Sequence, residues 1–239
     1  MEHIKTPENT NFPEDRQVPI IALPGLGVDH RLFGQLELSQ PVLAWDWPDP
    51  LPGEQLEAFT LRLSNRLPEG PVMLMGVSFG GIVMQQMARL LPDKVRGLIL
   101  ISTLGHWREK PSGMKLLKFL PLYQLGRGKW RLRFFPQVAP FFGVKHPDEI
   151  RLIKSMFARA TDRHRMWGMQ QIIQWRGEIP AETPYLRLHG TEDRFFPKEK
   201  IGASAWIEGG YHFMVYQQGA EVSHRINAWI REGQKRADQ

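Results

Sequence analysis

One serine of the chain stands in a context that would make it a nucleophile. It is Ser78, at the centre of Gly76-Val77-Ser78-Phe79-Gly80. The apolar residues 72–75 predict a buried strand before this pentapeptide, and residues 81–91 predict a helix with one apolar face after it. So abrupt a turn strains the backbone at the serine, and glycines two positions to either side remove the side chains that would clash. The pattern predicts a hydroxyl that stands clear of the sheet.

A serine hydroxyl is a weak nucleophile near neutral pH, so it needs a general base, and that base needs an orienting carboxylate. Two segments late in the chain contain such groups. Residues 189–197 follow one predicted strand and contain a histidine and two carboxylates, and residues 208–214 follow the next strand and contain His212. Both segments are therefore candidates to meet Ser78.

The elements that must position these residues alternate between strands and helices. Apolar runs predict strands at 18–23, 42–45, 72–75, 95–102, 185–189 and 203–207. Amphipathic patterns predict helices at 54–67, 81–91 and 215–231. This alternation is typical of an α/β fold with a mostly parallel central sheet flanked by helices on both faces.

The strand pattern stops between residues 105 and 179, which we call the cap segment. Its prolines break it into short pieces, and the clearest predicted helices are 148–160 and 162–175, with Thr161 as the N-cap of the second. We therefore expect a polar N-terminal lead-in at 1–17, a core formed by 18–104 with 180–233, and an inserted helical cap at 105–179.

With these features the chain resembles the α/β-hydrolase fold family, over most of 18–231 outside the cap segment. The resemblance implies that Ser78 is the nucleophile, that Asp193 in the Gly-x-x-Asp-x-x-x-Pro turn is the acid, and that His212 in the Gly-x-His-Phe turn is the base. Glu192 is an alternative acid, but the register of the turn favours Asp193. His189 is expected to be a packing residue at a strand end.

An acyl transfer also needs N–H donors for the tetrahedral oxyanion. One is expected from the backbone of Phe79, which follows the nucleophile at the start of a helix. The resemblance implies that the second comes from Leu26, in the loop after the first strand. Pro24 replaces the histidine that is usual in the family, which leaves the backbone role of Leu26 intact.

A serine at position 78 narrows the chemistry. Haloalkane dehalogenases and epoxide hydrolases of this fold use an aspartate there, whereas ester, thioester, amide and carbon–carbon bond hydrolysis remain open, because all can proceed through a serine. We expect a serine esterase or thioesterase that forms an acyl-enzyme and uses no cofactor. No metal is expected, because histidines and carboxylates do not cluster at ligand spacing. The alternative is a ligand receptor that keeps the fold without useful turnover.

Positive charge is concentrated in the cap segment, which contains 15 Lys and Arg against 5 Asp and Glu, although the net charge of the whole chain is only +6. These basic residues either are solvated helix faces or form a docking surface for an acidic partner. The pimeloyl-acyl-carrier-protein methyl ester esterases, which have this fold, are similar in size, triad order and basic lid. A carrier protein is therefore a candidate partner, and the candidate docking residues are Arg127, Lys129, Arg131 and Arg133.

Composition limits the remaining possibilities. The 239 residues include no cysteine, which excludes disulfides and a cysteine nucleophile and is compatible with the cytoplasm. No apolar run approaches the roughly 18 residues of a membrane span, although weak attachment to an anionic membrane surface stays open. Nucleic-acid binding is not expected, because no recognition motif accompanies the basic residues. The remaining histidines are expected to be surface or capping residues: His3, His30, His106, His146, His164 and His224.

Overall fold

Six strands form one sheet in the part of the chain that the computed structural model describes, residues 18–111, 136–137 and 139–237. Their spatial order is β2-β1-β3-β4-β5-β6, and every neighbouring pair is parallel. The predicted parallel α/β sheet is confirmed. In chain order the strands are β1 Ile20–Leu23, β2 Val42–Ala44, β3 Val72–Val77, β4 Val95–Ile101, β5 Tyr185–Gly190 and β6 Ala205–Ile207.

Helices cover both faces of this sheet. The α-helices are α1 Leu56–Ser64, α2 Phe79–Leu90, α3 Pro147–Arg159, α4 Asp162–Gln174, α5 Met214–Gln217 and α6 Gly219–Ala237. Successive strand side chains point to opposite faces, so Ile20 and Ile21 enter different cores. The core with Ile20 includes Trp229 of α6, and the core with Ile21 includes Phe59 of α1. A parallel sheet buried on both faces requires such continuous apolar strands.

The order of the strands reverses at β1, because the chain passes first to β2 on one side and then to β3 on the other. In open α/β sheets, ligands bind outside the carboxyl ends of the strands at such a switch point. Ser78 follows β3 and the Leu26 loop follows β1. The topology therefore places both at the expected ligand-binding edge.

Several predicted helix boundaries were wrong, and the helix predicted at 54–67 is the shorter α1 at Leu56–Ser64. Helix α2 begins at Phe79 rather than residue 81, because its glycines serve close approach to neighbouring backbone and do not delay the helix. The predicted helix 215–231 is instead α5 and α6, which are separated at Gln218. A Cβ atom placed on Gly219 would lie 2.3 Å from the carbonyl oxygen of Gln35. This close approach explains why a glycine begins α6.

The described residues of the cap segment include 3-10 turns and the helices α3 and α4, and none of them belongs to a strand of the sheet. The Thr161 hydroxyl accepts a hydrogen bond from His164 N at 3.0 Å, so the predicted N-cap of α4 is confirmed. The two ends of the segment meet where Ile179 N donates to Gly105 O at 2.9 Å. Within the described ranges, no helix is both long enough and apolar enough to cross a membrane.

Candidate active site

Ser78 lies at the bend between β3 and α2, where its φ of 53° and ψ of −118° are unusual for a residue with a side chain. The neighbouring glycines are required by space. A Cβ atom on Gly76 would lie 2.5 Å from Gly81 N, and one on Gly80 would lie 2.2 Å from Leu23 O. The strand, the bend and the helix are therefore packed too closely for any other residue at these two positions.

Hydrogen bonds hold the backbone of Ser78 in this conformation. Its N–H donates to Ile101 O at 3.0 Å, and its carbonyl oxygen accepts from the Thr103 hydroxyl at 2.6 Å and from Gly81 N at 3.0 Å. The N–H and the carbonyl oxygen of Ser78 both have hydrogen-bond partners. These bonds hold the strained backbone conformation in place and fix the position from which the Ser78 hydroxyl projects.

The structure brings Ser78, His212 and Asp193 together. His212 Nε2 lies 3.1 Å from Ser78 Oγ, and His212 Nδ1 lies 2.9 Å from Asp193 Oδ2. The aspartate comes from the loop after β5 and the histidine from the loop after β6, so both reach the same sheet edge as Ser78. All three side chains are buried. Such an arrangement can transfer a proton from the hydroxyl to the imidazole while the carboxylate orients the ring.

The Asp193 carboxylate is surrounded by donors. Its Oδ1 accepts hydrogen bonds from Phe195 N at 2.8 Å and Phe196 N at 3.0 Å, while Oδ2 faces the ring nitrogens of His212 and His189. Burial alone would raise the pKa of Asp193, but the two histidines outweigh it and hold that pKa well below its usual range. The side chain is therefore ionised. Glu192, the alternative acid, is exposed on the surface.

His189 has a contact that the sequence did not predict. It is fully buried and packs its ring edge-on against Trp206, as expected of a packing residue. Its Nε2, however, also lies 3.2 Å from Asp193 Oδ2 and 2.9 Å from Phe196 O. The expectation of packing alone was therefore incomplete. Only the proximity of His189 to the acidic turn in sequence hinted at this contact.

The loop after β1 lies against Ser78, because a Cβ atom on Gly25 would be 3.5 Å from Ser78 Cβ. Leu26 follows Gly25 and lines the same cavity as Ser78, and Phe79 begins α2 directly after Ser78. That their backbone N–H groups hold the oxyanion stays a prediction. Trp47, which sequence reasoning missed, supports this loop. Its indole N–H donates to Gly25 O at 3.0 Å, and its ring stacks on Phe79 with centroids 5.2 Å apart.

A cavity of about 260 Å³ opens beside Ser78 and His212. Apolar side chains dominate its lining, including Leu26, Phe142 and Met169. Arg165 also lines it, but this guanidinium pairs with Asp162 and donates to Ala160 O at 2.5 Å. The charge of the arginine is thus compensated within α4, and the cavity suits an apolar chain.

Aromatic rings enclose the His212 imidazole. The ring centroids of Phe142, Phe195, Phe196 and Phe213 lie 5.0 to 6.2 Å from its own. They bury most of the histidine, while its two nitrogens remain directed at Ser78 and Asp193. Electrostatic interactions among the three residues are stronger in this partly desolvated environment than in water.

Two other expectations have different outcomes. Arg127, Lys129, Arg131 and Arg133 lie outside the described residues. His164 was expected at the surface or in a cap, which was wrong: it is buried between Trp47 and Trp167, because α4 packs that face inward. Burial lowers the pKa of His164 from 6.5 to about 4, and neither of its ring nitrogens has a hydrogen-bond partner among the described residues.

One group in the described ranges brings three possible metal-ligand atoms within 4.8 Å of one another, from Asp29, His30 and Asp46. The Asp29 carboxylate already accepts two hydrogen bonds from the guanidinium of Arg31, at 2.9 and 2.7 Å, and His30 Nδ1 lies 2.9 Å from Asp46 Oδ1. The candidate ligand atoms of this group therefore already take part in hydrogen bonds within the chain.

Known proteins with similar folds include a thermophilic esterase from Thermogutta terrifontis, which is 22% identical, with a TM-score of 0.71 over 90% of each chain. A bromoperoxidase from Bacillus anthracis is 15% identical, with a TM-score of 0.72 over 90% of this chain and 92% of that one. At these identities the likeness establishes the fold alone.

Comparison of sequences gives more direct evidence of the family than comparison of folds. The chain is 29% identical over 102 residues to the polyketide synthase ThaQ of Burkholderia thailandensis, a match that covers 37% of this chain and only 5% of that protein. The profile of the family described as "Alpha/beta hydrolase family" matches residues 20–225, which is most of the chain and includes the sheet, Ser78, Asp193 and His212. The chain therefore belongs to the alpha/beta hydrolase family.

Proposed function

We propose that the protein is a serine hydrolase that cleaves a carboxylic ester or thioester through an acyl-enzyme. The observation that carries this proposal is the buried chain of contacts from Ser78 Oγ through His212 to Asp193, with separations of 3.1 and 2.9 Å. Both distances are within hydrogen-bonding range. This geometry is the one required for a histidine to activate a serine hydroxyl.

In the first half of the reaction, Ser78 Oγ attacks the acyl carbon while its proton passes to His212 Nε2. Asp193 accepts the Nδ1–H of His212 and stabilises the imidazolium, because its carboxylate is ionised. The backbone N–H groups of Leu26 and Phe79 stabilise the oxyanion. When the bond to the leaving group breaks, His212 returns the proton to the departing oxygen or sulfur.

The second half of the reaction repeats these roles with water. A water molecule attacks the acyl-enzyme as His212 removes its proton, and the bond to Ser78 Oγ breaks to release the acid. The serine recovers its proton from His212, so the enzyme returns to its starting state. Each group acts twice, and no redox cofactor or metal takes part in the proposed cycle.

The cavity supports an apolar acyl group as substrate. Its lining is mainly aliphatic, aromatic and thioether side chains, and its arginine is already paired with Asp162. An acyl chain buried there gains the hydrophobic transfer free energy, about 0.8 kcal/mol for each methylene group. A charged group at the distal end of the chain would lose its hydration without gaining an unpaired counter-ion.

The substrate is proposed to be linked to an acidic partner, such as an acyl carrier protein. This proposal depends on the excess of basic residues in the cap segment, 15 against 5, and names Arg127, Lys129, Arg131 and Arg133 as contacts. Complementary charge would accelerate association without changing the chemistry at Ser78.

Labelling with a fluorophosphonate probe tests the hydrolase against the alternative of a receptor without turnover. We expect one covalent adduct on Ser78, found by peptide mass spectrometry, that is absent in Ser78→Ala and strongly reduced in His212→Ala. Ser155→Ala is the matched control, because this serine of α3 lies outside the site and donates to Leu152 O. An unreactive Ser78 in folded protein would overturn the proposal. If Ser78 is labelled, a panel of esters and thioesters of increasing chain length would define the substrate.

A further inference from the structure

The Asp193 carboxylate lies between two histidines. His212 Nδ1 is 2.9 Å from Oδ2, and His189 Nε2 is 3.2 Å from the same oxygen. His212 belongs to the proposed catalytic set, whereas His189 is at the end of β5 and contacts neither Ser78 nor the cavity lining in the described contacts. The second histidine therefore reaches the site only through Asp193 and the backbone of Phe196.

The surroundings of His189 determine which of its nitrogens carries the proton. Nε2 faces Asp193 Oδ2 and, at 2.9 Å, the carbonyl oxygen of Phe196, and both of these atoms are hydrogen-bond acceptors. Nε2 must therefore donate. Nδ1 is buried and has no hydrogen-bond partner within the described ranges, so a proton there would be an unsatisfied buried donor. Of the two ring nitrogens, Nε2 is therefore the one that is placed to donate to Asp193.

The turn after Asp193 connects the same groups. Phe196 N donates to Asp193 Oδ1 at 3.0 Å, while Phe196 O accepts from His189. His189 thus contacts both the carboxylate and the turn that holds the other carboxylate oxygen. The His189 side chain is fully buried, so water does not take its place as the hydrogen-bond partner of Asp193 and Phe196.

We propose that His189 is a positioning residue, which donates its Nε2–H to Asp193 Oδ2 and holds that oxygen in line with His212 Nδ1. This inference rests on the proposed function, because it assigns His189 a purpose only if Asp193 orients a catalytic base. A packing residue would need the shape of the ring alone, whereas a positioning residue needs the donor at Nε2.

Two substitutions separate these roles. His189→Leu fills much of the space without a donor, and His189→Gln places an amide N–H at a reach similar to that of Nε2. Without the His189 donor, Asp193 Oδ2 accepts a hydrogen bond only from His212. The carboxylate is then less firmly oriented, and its negative charge is shared with one partner fewer, so it stabilises the His212 imidazolium more strongly. We expect kcat for a p-nitrophenyl ester to fall about tenfold in the leucine variant, with less than a twofold change in KM.

The pH profile provides a readout that packing would not change. Because a stabilised imidazolium persists to higher pH, the acid limb of kcat/KM should move upward by about half a pH unit in His189→Leu. His189→Gln should restore most of kcat and return the limb toward its wild-type position. A loss of activity that glutamine does not rescue, or a leucine variant with unchanged kcat and unchanged limb, would overturn the proposal.

Nuclear magnetic resonance of the wild-type protein, labelled with ¹⁵N-histidine, tests the inference without a measurement of activity. We expect the His189 signals, assigned by their loss in His189→Gln, to show a protonated Nε2 and an unprotonated Nδ1. A proton on Nδ1 with a bare Nε2 would exclude donation to Asp193. If Ser78 proves unreactive while His189 shows the expected tautomer, the proposed function fails and the hydrogen bond stands.

Discussion

Gly168 of α4 lies directly against Leu26, since a Cβ atom placed on the glycine would be 2.3 Å from Leu26 Cδ1. The same Cβ would be 3.1 Å from Cε1 of Phe79. Both residues proposed to hold the oxyanion therefore contact one glycine of the cap segment. Gly27, next in the loop, is similarly close to Phe157 of α3. Helices α3 and α4 of the cap segment therefore pack against the proposed oxyanion loop.

Substitution of Gly168 by alanine tests this coupling. Alanine favours a helix over glycine by about 1 kcal/mol, but overpacking against Leu26 costs roughly 1–3 kcal/mol. We expect Gly168→Ala to lower the free energy of unfolding by about 1 kcal/mol and kcat about tenfold. Urea denaturation and ester hydrolysis measure the two effects.

A second substitution shows whether Leu26 is the cause. When Leu26 is also replaced by alanine, the methyl group that Gly168→Ala adds has room. In that background Gly168→Ala should leave the free energy of unfolding unchanged or raise it, and should cause no further loss of kcat. Gly202→Ala is the control, because a Cβ atom there would be 3.9 Å from its nearest neighbours. Additive effects of Gly168→Ala and Leu26→Ala would contradict direct packing between these residues.

The strained backbone of Ser78 predicts a difference between two inactive variants. Both Ser78→Ala and Ser78→Gly lack the hydroxyl, but only glycine adopts a φ of 53° with a ψ of −118° without steric strain. We expect the glycine variant to be more stable than the alanine variant by about 1 kcal/mol in urea denaturation. Equal stability, or a more stable alanine variant, would show that the bend stores no strain.

His164 predicts a loss of stability in mild acid. Because burial lowers its pKa from 6.5 to about 4, the unfolded chain binds a proton between these pH values that the folded chain does not. The free energy of unfolding should therefore fall as the pH decreases from about 6.5 to about 4, by on the order of 3 kcal/mol. Urea titrations at several pH values measure this slope.

His164→Phe should remove that part of the slope, since the ring lies between two tryptophans and its nitrogens are unpartnered among the described residues. The exposed His224→Gln is the matched control and should keep it. Asp193 acts in a lower range: its depressed pKa contributes stability above about pH 4, which is lost only as the pH falls further. A slope unchanged by His164→Phe would refute the assignment.

The basic cap segment predicts a salt dependence specific to a carrier-bound substrate. Reversal of charge at Arg127, Lys129, Arg131 and Arg133 should lower kcat/KM for an acyl carrier protein substrate about tenfold or more, as should an increase in salt. Hydrolysis of a small neutral ester should change less than twofold, because association with it does not depend on charge. Steady-state kinetics with both substrates provide the measurement.

Reversal of four exposed basic residues outside the cap segment is the control for net charge. Suitable positions are Arg96, Lys198, Arg231 and Lys235. Equal losses for the two sets of variants, or equal losses for carrier-bound and small substrates, would refute docking at the cap segment.

Local patterns in the sequence predicted much of the site. The glycines around Ser78 indicated the bend, because only glycine allows β3, α2 and the end of β1 to approach so closely. The register of the acidic turn selected Asp193, and Glu192 is exposed. The predictions failed where distant residues decide the outcome: Gln35 approaches Gly219 at the start of α6, and two tryptophans bury His164.

The sequence by itself determined the type of sheet, the bend at Ser78 and the order in which the three reactive side chains follow their strands, because periodicity and turn chemistry act between near neighbours in the chain. Only the tertiary structure decided that His189 shares the Asp193 carboxylate with His212, that Trp47 supports the Gly25 loop and that Gly168 packs on Leu26. Gly168 and Leu26 come from distant segments of the chain, as do Trp47 and Gly25, and packing brings each pair together. His189 and Asp193 are near each other in sequence, but only the fold brings them to His212. No local pattern encodes these contacts.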